Sequence, residues 1–329
     1  MIRIATFNIE NLDEDTFDED GQIKEPTLAK RMEVLRPQLR RINADIICFQ
    51  EVHGQETEGQ PRTLKTLMAL LTGTPYENFH VAHTKTTANE AYDKRNLVTI
   101  SRFPFLSIQQ CRNDKIKDLV YKQVTTIPER EEPQKVSWER PIQHVEVDVQ
   151  GTRLHIINLH LKSRIPTSIR GQRDGFQYKS VIGWAEGYFL SSMKRVGQAL
   201  ETRILIDQLL DDDPNAYIIV CGDFNAEPGE VPVETIVGRV ENTGNPDLGF
   251  RQLFPCSMSI PEDRRYTHLH EGQGNLLDHM VVSRMMMSKY VSAEIHNEAL
   301  HDESIAFATD KKYPESDHAP FVATFNMDI

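Results

Sequence analysis

The feature that most constrains this chain is a series of short apolar runs, rich in β-branched residues, that each stop at a polar side chain. The runs are Ile2–Ile9, Asp45–Gln50, Leu97–Ser101, Val145–Val149, Arg153–Leu161, Ala216–Gly222, Leu277–Ser283 and Pro320–Phe325. Runs of this length and composition read as strands. Between some of them the spacing turns helical. Leu28, Met32, Leu35, Leu39 and Ile42 share one helical face, Thr27 is placed to cap that helix, and Pro37 should kink or restart it. Further helices are expected around Thr63–Leu71 and from about Val196 to Leu210. Strands outnumber helices, and the helices do not alternate regularly with them. That pattern disfavours Rossmann and TIM architectures and suits a mixed α/β sandwich. With no repeat, low-complexity tract or convincing linker, the chain reads as a single domain over 1–329. Ser163–Gly197 reads as an insertion or arm, because it mixes glycines, charges and aromatics without a clean period.

Composition removes several classes. A hydrophobic content of 39% with 26% charged residues excludes a membrane protein and a wholly disordered chain. No stretch approaches the roughly 20 apolar residues of a transmembrane helix, so no membrane span is expected. Cys48, Cys111, Cys221 and Cys256 are far apart and form no C-x-x-C pair, so reduced thiols and a cytoplasmic location are expected. With a strand expected from Ile2 onward, no signal peptide is expected within this sequence. The net charge of −12 argues on average against a polyanionic partner, but it is unevenly placed. Seven acids and no Lys or Arg lie between Glu10 and Asp20, whereas Lys162–Gly197 carries a balance of +5.

The informative residues sit where strands stop. Asn8 ends the first run and Glu51 the second; Asn158 and His160 share one face at the end of another, as do Asp223 and Asn225. Asp278 opens a strand, and Asp317-His318 precedes the last one. Each alone is what a turn, a cap or a surface charge would use. Six such edges together are not.

In order and type, the blocks TFNIEN, QEV, NLHLKS, GDFNAEP, LDHMVVS and SDHAP resemble the endonuclease/exonuclease/phosphatase superfamily with the DNase I-like fold, over nearly the whole chain. The resemblance implies a four-layer α/β/β/α sandwich of two packed mixed sheets flanked by helices, with the site at one end of the sheets. It implies Mg²⁺ or Mn²⁺ and hydrolysis of a phosphate ester by an in-line water. It places Glu51 on the metal with Asn8 and Asp317 in or near its shell, oxygen donors of the kind hard cations prefer. It gives Asp223 the task of orienting or deprotonating the water, and Asn225 that of holding a phosphate oxygen. His318, its tautomer fixed by Asp278, stabilises developing charge or acts as the base; the choice between Asp223 and His318 stays open. His160 matches a phosphate- or leaving-group-contacting histidine, and Arg140 a phosphate-facing arginine. Asn96 is expected to support the site.

Two other clusters carry less. His268 and His270 form an H-x-H pair without a third clustered ligand, so exposed loop histidines are expected. The Asp18–Gly21 acidic run fails the EF-hand template and reads as a solvated loop.

The resemblance fixes the bond type better than the substrate. The arm follows His160 and interleaves Arg170, Arg173 and other cations with Phe176, Tyr178, Trp184, Tyr188 and Phe189, which suits single-stranded or distorted nucleic acid. The acidic loop follows Asn8 and would repel a long polyanion. The expected activity is that of a nuclease or phosphodiesterase. The alternatives are a phosphatase acting on a small phosphorylated metabolite or lipid headgroup, or a non-catalytic binding module of the same fold. Nothing in the sequence calls for an obligate protein partner.

Overall fold

The computed structural model describes all residues except 19, 118, 310, 328 and 329; Glu19 of the acidic run therefore lies outside the described residues. Eight apolar runs become strands at or near the expected positions, and four more strands complete two six-stranded sheets. The first sheet runs, in spatial order, Tyr290–Ile295, Phe321–Phe325, Ile2–Leu12, Ile46–Val52, Asn96–Ser101 and His80–His83. The second runs Phe254–Pro255, Asp278–Val282, Tyr217–Asp223, Thr152–His160, Ile142–Val149 and Phe105–Cys111. In each sheet the one parallel pair is central: Ile2–Leu12 with Ile46–Val52, and Thr152–His160 with Tyr217–Asp223. All other pairs are antiparallel.

Alternation along the strands sorts side chains into three apolar layers. Ile4, Cys48, Val145, Ile156, Ile219 and Phe321 fill the space between the sheets. Phe7, Ile47 and Val98 face outward onto Leu35 and Leu39 of the Leu28–Ile42 helix and Leu67 of the Lys65–Leu71 helix. Ile157, Leu159 and Val220 face the opposite way, onto Ala199, Ile206 and Leu210 of a long helix. The order is thus helix, sheet, sheet, helix. A buried polar seam crosses between the sheets: Gln50 Nε2 donates to Asn158 Oδ1 at 2.8 Å, and Thr99 Oγ1 to Gln143 Oε1 at 2.7 Å. Buried pairs of this kind favour one stacking register over its neighbours, although Gln143 Nε2 is left without a partner.

Two expectations change. Leu28–Ile42 is one continuous helix with Pro37 inside it, not restarted there, and is capped by Thr27 Oγ1 accepting from the Lys30 amide at 3.3 Å. Three fully buried residues on its inner face, Leu35, Leu39 and Ile42, hold it together despite the missing hydrogen bond. The helix expected near Val196 begins at Val181 and reaches Asp212, so the second half of the supposed arm is regular structure. Its glycines are contact points rather than breaks: a Cβ on Gly187 would strike the Thr167 carbonyl, and one on Gly197 would come within 2.6 Å of the Trp138 ring. Buried Glu186, Arg195, Gln198 and Glu201 hide its apolar period.

Gly222 is the most constrained residue of the second sheet. Its φ is +137°, and a Cβ there would collide with the Leu159 carbonyl on the neighbouring parallel strand. Gly222→Ala should cost about 2–4 kcal/mol in urea unfolding, through strain and overpacking combined. A loss below about 1 kcal/mol would show that the two strands are not held at this spacing.

Candidate active site

The central strand ends meet at one edge of the sandwich. In the second sheet, His160 lies opposite Asp223 and Asp278 lies opposite Asp223 from the other side, so Asp223 is flanked by both. In the first sheet, Asn8 pairs with Gln50, after which the chain leaves regular pairing. Glu10, Asn11, Glu51, Arg95 and Asn225 all adopt left-handed φ between +46° and +62°. Each such conformation costs of order 1 kcal/mol for a residue with a side chain. Their concentration around one sheet end marks a site where side-chain aim outweighs backbone comfort.

Asp223 is the hub. Its Oδ2 accepts from Asn8 Nδ2 at 3.1 Å and from Asn225 Nδ2 at 3.0 Å, and its Oδ1 from the Asn225 amide at 2.8 Å. His160 Nε2 lies 3.3 Å from Asp223 Oδ2 and 3.5 Å from Glu51 Oε1, which assigns the proton to Nε2. Burial raises the Asp223 carboxyl to about 6, with Asp278 and Glu51 adding to the shift while His318 and the Asn225 amide oppose it. Burial, then the charges of Arg140 and Arg95, push His160 well below the usual histidine range, so it is neutral at pH 7. His318 is the reverse case. Burial opposes its charge, but Asp278, whose Oδ2 is 2.7 Å from Nδ1, together with Asp317 and Asp223, holds it well above the ordinary value.

Short polar ties fix these groups. Thr267 Oγ1 accepts from the Asp278 amide at 3.0 Å, and its carbonyl accepts from the Ala319 amide at 2.7 Å. Ser316 Oγ donates to the Asn8 carbonyl at 2.8 Å and accepts from the His318 amide at 3.1 Å. Asn96 Nδ2 donates to the Val52 and Tyr92 carbonyls, bracing the strand that carries Glu51.

Glu51, Glu10 and Asp317 gather carboxylates beside this hub. The Asp317 amide donates to Glu10 Oε2 at 3.1 Å, and Glu51 Oε2 accepts from the Asn11 amide at 3.1 Å. Burial and then Asp317 raise Glu10 to about 8, and burial raises Asp317 as well. Asp317 Oδ1 is shielded from solvent and has no hydrogen-bond partner. An orphaned carboxylate oxygen among crowded acids suits a divalent cation; Asp317, His268 and Glu303 present ligand atoms within 4.8 Å of one another, and Glu51 lies close enough for its charge to act on Asp317. Asn8 is engaged through both ends of its amide, since its Oδ1 also accepts from the Glu10 amide at 3.0 Å. A second lone pair remains on that oxygen.

Sequence reasoning missed several neighbours. Arg31, on the Leu28–Ile42 helix, donates to the carbonyls of Ile9 at 2.6 Å and Glu10 at 2.8 Å, closing the bend after Asn8. Arg95 Nε lies 3.9 Å from Glu51 Oε1. His268 is not an exposed loop residue. It is 7% exposed, bridges His318 on the backbone, and its Nε2 lies 3.2 Å from Glu303 Oε2. Only His270 of that pair is solvent-facing. No sequence spacing links His268 to Asp317 or Glu303; the proximity is tertiary.

The surroundings differ in charge balance. A 760 Å³ pocket beside Asp317 is lined by Glu10, Asp13, Glu14 and Asp15 of the acidic loop, with Lys24, Arg31, Lys311 and Lys312 among them and Phe176 at the arm's tip. A 1050 Å³ cleft on the Arg95 side is lined by Lys94, Arg95, Arg112, Lys135, Arg140 and Lys162, with Asp93, Asp114 and Glu139 as its acids. Arg140 Nη1 donates to the Leu161 carbonyl at 2.9 Å, and burial lowers its guanidinium to about 10. Of the arm cations, Arg164 Nε donates to the Asn225 carbonyl at 3.3 Å, whereas Arg170 and Arg173 stand apart. Arg173 lies 5.0 Å over the Tyr178 ring and Arg170 is exposed; among the described residues, neither side chain is tied to the site by a hydrogen bond or ion pair.

Comparison with known proteins places these features. The sequence profile of the Endonuclease/Exonuclease/phosphatase family matches residues 5–318. No curated protein sequence matches the chain. Among solved structures, truncated TDP2 of Caenorhabditis elegans superposes with a TM-score of 0.57 at 14% identity, covering 99% of this chain and 97% of that one. An AP endonuclease from Archaeoglobus fulgidus gives 0.53 at 16%, covering 99% and 100%. A mannosyl-6-phosphatase from Bacteroides thetaiotaomicron gives 0.57 at 14%, covering 98% and 99%. At these identities the likeness establishes the fold.

Proposed function

Because the chain belongs to the endonuclease/exonuclease/phosphatase family, we propose that it is a divalent-metal-dependent phosphodiesterase that accepts a nucleic-acid strand. The observation that carries the substrate half of this reading is the mainly cationic cleft that includes Arg95, whose Nε lies 3.9 Å from Glu51 Oε1. Bound at Glu51 and Asp317, Mg²⁺ or Mn²⁺ would neutralise phosphate charge and polarise the phosphorus–oxygen bond.

The protein's own groups divide the remaining work by their protonation. A general base must be unprotonated and titrate near the working pH. Asp223, at about 6, meets both conditions. His318, kept cationic by Asp278, does not; it suits donation to a phosphoryl oxygen as charge builds. Asn8 and Asn225 hold the Asp223 carboxylate so that its aim is set before substrate arrives. Neutral His160 can donate from Nε2 to an oxygen seated between Asp223 and Glu51.

This division sets the pH profile. Below about pH 6 Asp223 gains its proton, and kcat/KM should fall tenfold per pH unit. On the alkaline side activity should persist until His318 loses its proton, well above neutrality. A rate that climbs only above pH 8 would identify a different base.

A polyanion in the cleft also implies counterion release. With a single-stranded oligonucleotide, log kcat/KM should fall with log salt, and Arg95→Ala with Arg112→Ala should reduce that slope by about 1 to 1.5. A slope near zero in wild type would exclude a strand in the cleft. The pocket beside Asp317 favours a second reading, a compact, hydroxyl-rich phosphate monoester, because its carboxylates accept from hydroxyls while Lys24, Arg31, Lys311 and Lys312 offset part of their charge. Salt-insensitive release of phosphate from a sugar phosphate, faster than cleavage of the oligonucleotide, would establish it.

A further inference from the structure

A second group of metal-ligand side chains lies away from the phosphoester site. We propose that His144, Glu146 and His155 form a transition-metal site on the outer face of the second sheet, one that takes Zn²⁺ or a cation of similar preference.

The sheet itself builds it. His144 and Glu146 are two apart on Ile142–Val149 and therefore share a face, and Glu146 pairs directly with His155 on Thr152–His160. One ligand atom from each of the three lies within 4.8 Å of the others. His155 is five residues before His160 on the same strand, so the two point to opposite faces and are about 16 Å apart along it. The site is thus separated from the carboxylate cluster by the sheet.

The donors suit a borderline cation rather than Mg²⁺. His144 Nε2 and His155 Nδ1 are 3.1 Å apart. Two imidazole nitrogens about 2.05 Å from one metal would be about 2.9 Å apart at a right angle and about 3.4 Å at the tetrahedral angle. The pair therefore already has the spacing of two ligands of one ion. His144 is 4% exposed and His155 9%, and His144 Nδ1 has no hydrogen-bond partner. Burial lowers both imidazoles, His144 to about 4, so both offer lone pairs at neutral pH. Glu146 supplies the negative charge; its Oε2 lies 3.4 Å from Arg153 Nε, which leaves its other oxygen for a cation. Two histidines and one carboxylate leave a fourth position for water.

The test uses Co²⁺ as a spectroscopic probe. Metal-free Glu51→Gln protein, in which the phosphoester site is weakened, is titrated with Co²⁺ and then with Zn²⁺. One equivalent should give the visible d–d bands of nitrogen-ligated Co²⁺, and Zn²⁺ should abolish them. His155→Gln, and independently the partly exposed Glu146→Gln, should each weaken this binding at least tenfold in that background. With Glu51 intact, both single variants should retain Mg²⁺-dependent phosphodiester hydrolysis. No bands, or bands indifferent to both substitutions, would overturn the proposal and leave a stacked histidine pair. If His155→Gln fails to fold, Glu146→Gln decides alone. The titration reads the same whether or not the chain proves to be a phosphodiesterase.

Discussion

Asp223→Asn should lower kcat by about 10³-fold, with little change in fold. The substitution keeps the shape and most of the hydrogen-bond positions but removes the proton acceptor, and general-base catalysis typically contributes 10²–10⁴-fold. It also turns an acceptor of three hydrogen bonds into a mixed group that must present an NH₂ to Asn8, Asn225 or His160. The acid limb near pH 6 should vanish with it, which separates loss of the base from general disorder of the site. A variant that keeps that limb while losing rate would assign the limb to another group. Steady-state hydrolysis of bis-p-nitrophenyl phosphate from pH 5 to 9 measures both.

Glu51→Gln should act on the cation instead. Glu51 carries the central carboxylate between His160 and Arg95, on a left-handed residue whose Oε2 accepts from the Asn11 amide and whose neighbour Val52 is braced through its carbonyl by Asn96. Removing its charge should raise the Mg²⁺ concentration needed for half-maximal rate by about 10²-fold, comparable to the loss of a supporting ligand interaction or more. At saturating Mn²⁺ part of the activity should return, because Mn²⁺ binds a given site more tightly than hard cations such as Mg²⁺. Wild-type Mg²⁺ dependence in this variant would mean that Asp317 and Glu10 hold the ion without it.

The sequence was most legible where strands are central and least where they form edges. Ile2–Leu12, Ile46–Val52, Thr152–His160 and Tyr217–Asp223 are buried on both faces, so their composition alone shows through. The strands Phe105–Cys111 and Tyr290–Ile295 face solvent along much of their length and carry no such signal. The long helix was half hidden because Gly183, Gly187 and Gly197, which blur its apolar period, are close-packing points against Gln172, Thr167 and Trp138. For the site, residues in short contiguous motifs were visible: Asp223 with Asn225, and Asp317 with His318. Arg31, Arg95, His268 and Glu303 were not, because each reaches the site from a distant element through tertiary packing.

Placement also resolves the charge asymmetry. The acidic loop lines the pocket beside Asp317 as expected, and the cleft on the Arg95 side takes its cations from Lys94–Arg95, Arg112, Lys135, Arg140 and Lys162 rather than from Arg170 and Arg173. The arm contributes Phe176 to the acidic side. A bound phosphate ester would therefore meet a mainly cationic cleft on one flank and a mixed pocket richer in carboxylates on the other.

The most direct measurement is hydrolysis of bis-p-nitrophenyl phosphate and of a single-stranded oligonucleotide by metal-stripped protein, before and after addition of Mg²⁺ or Mn²⁺. The account predicts no turnover without the cation, turnover of both substrates with it, and loss of that turnover in Asp223→Asn. Turnover that is unchanged by chelation, or none with either cation, would contradict it.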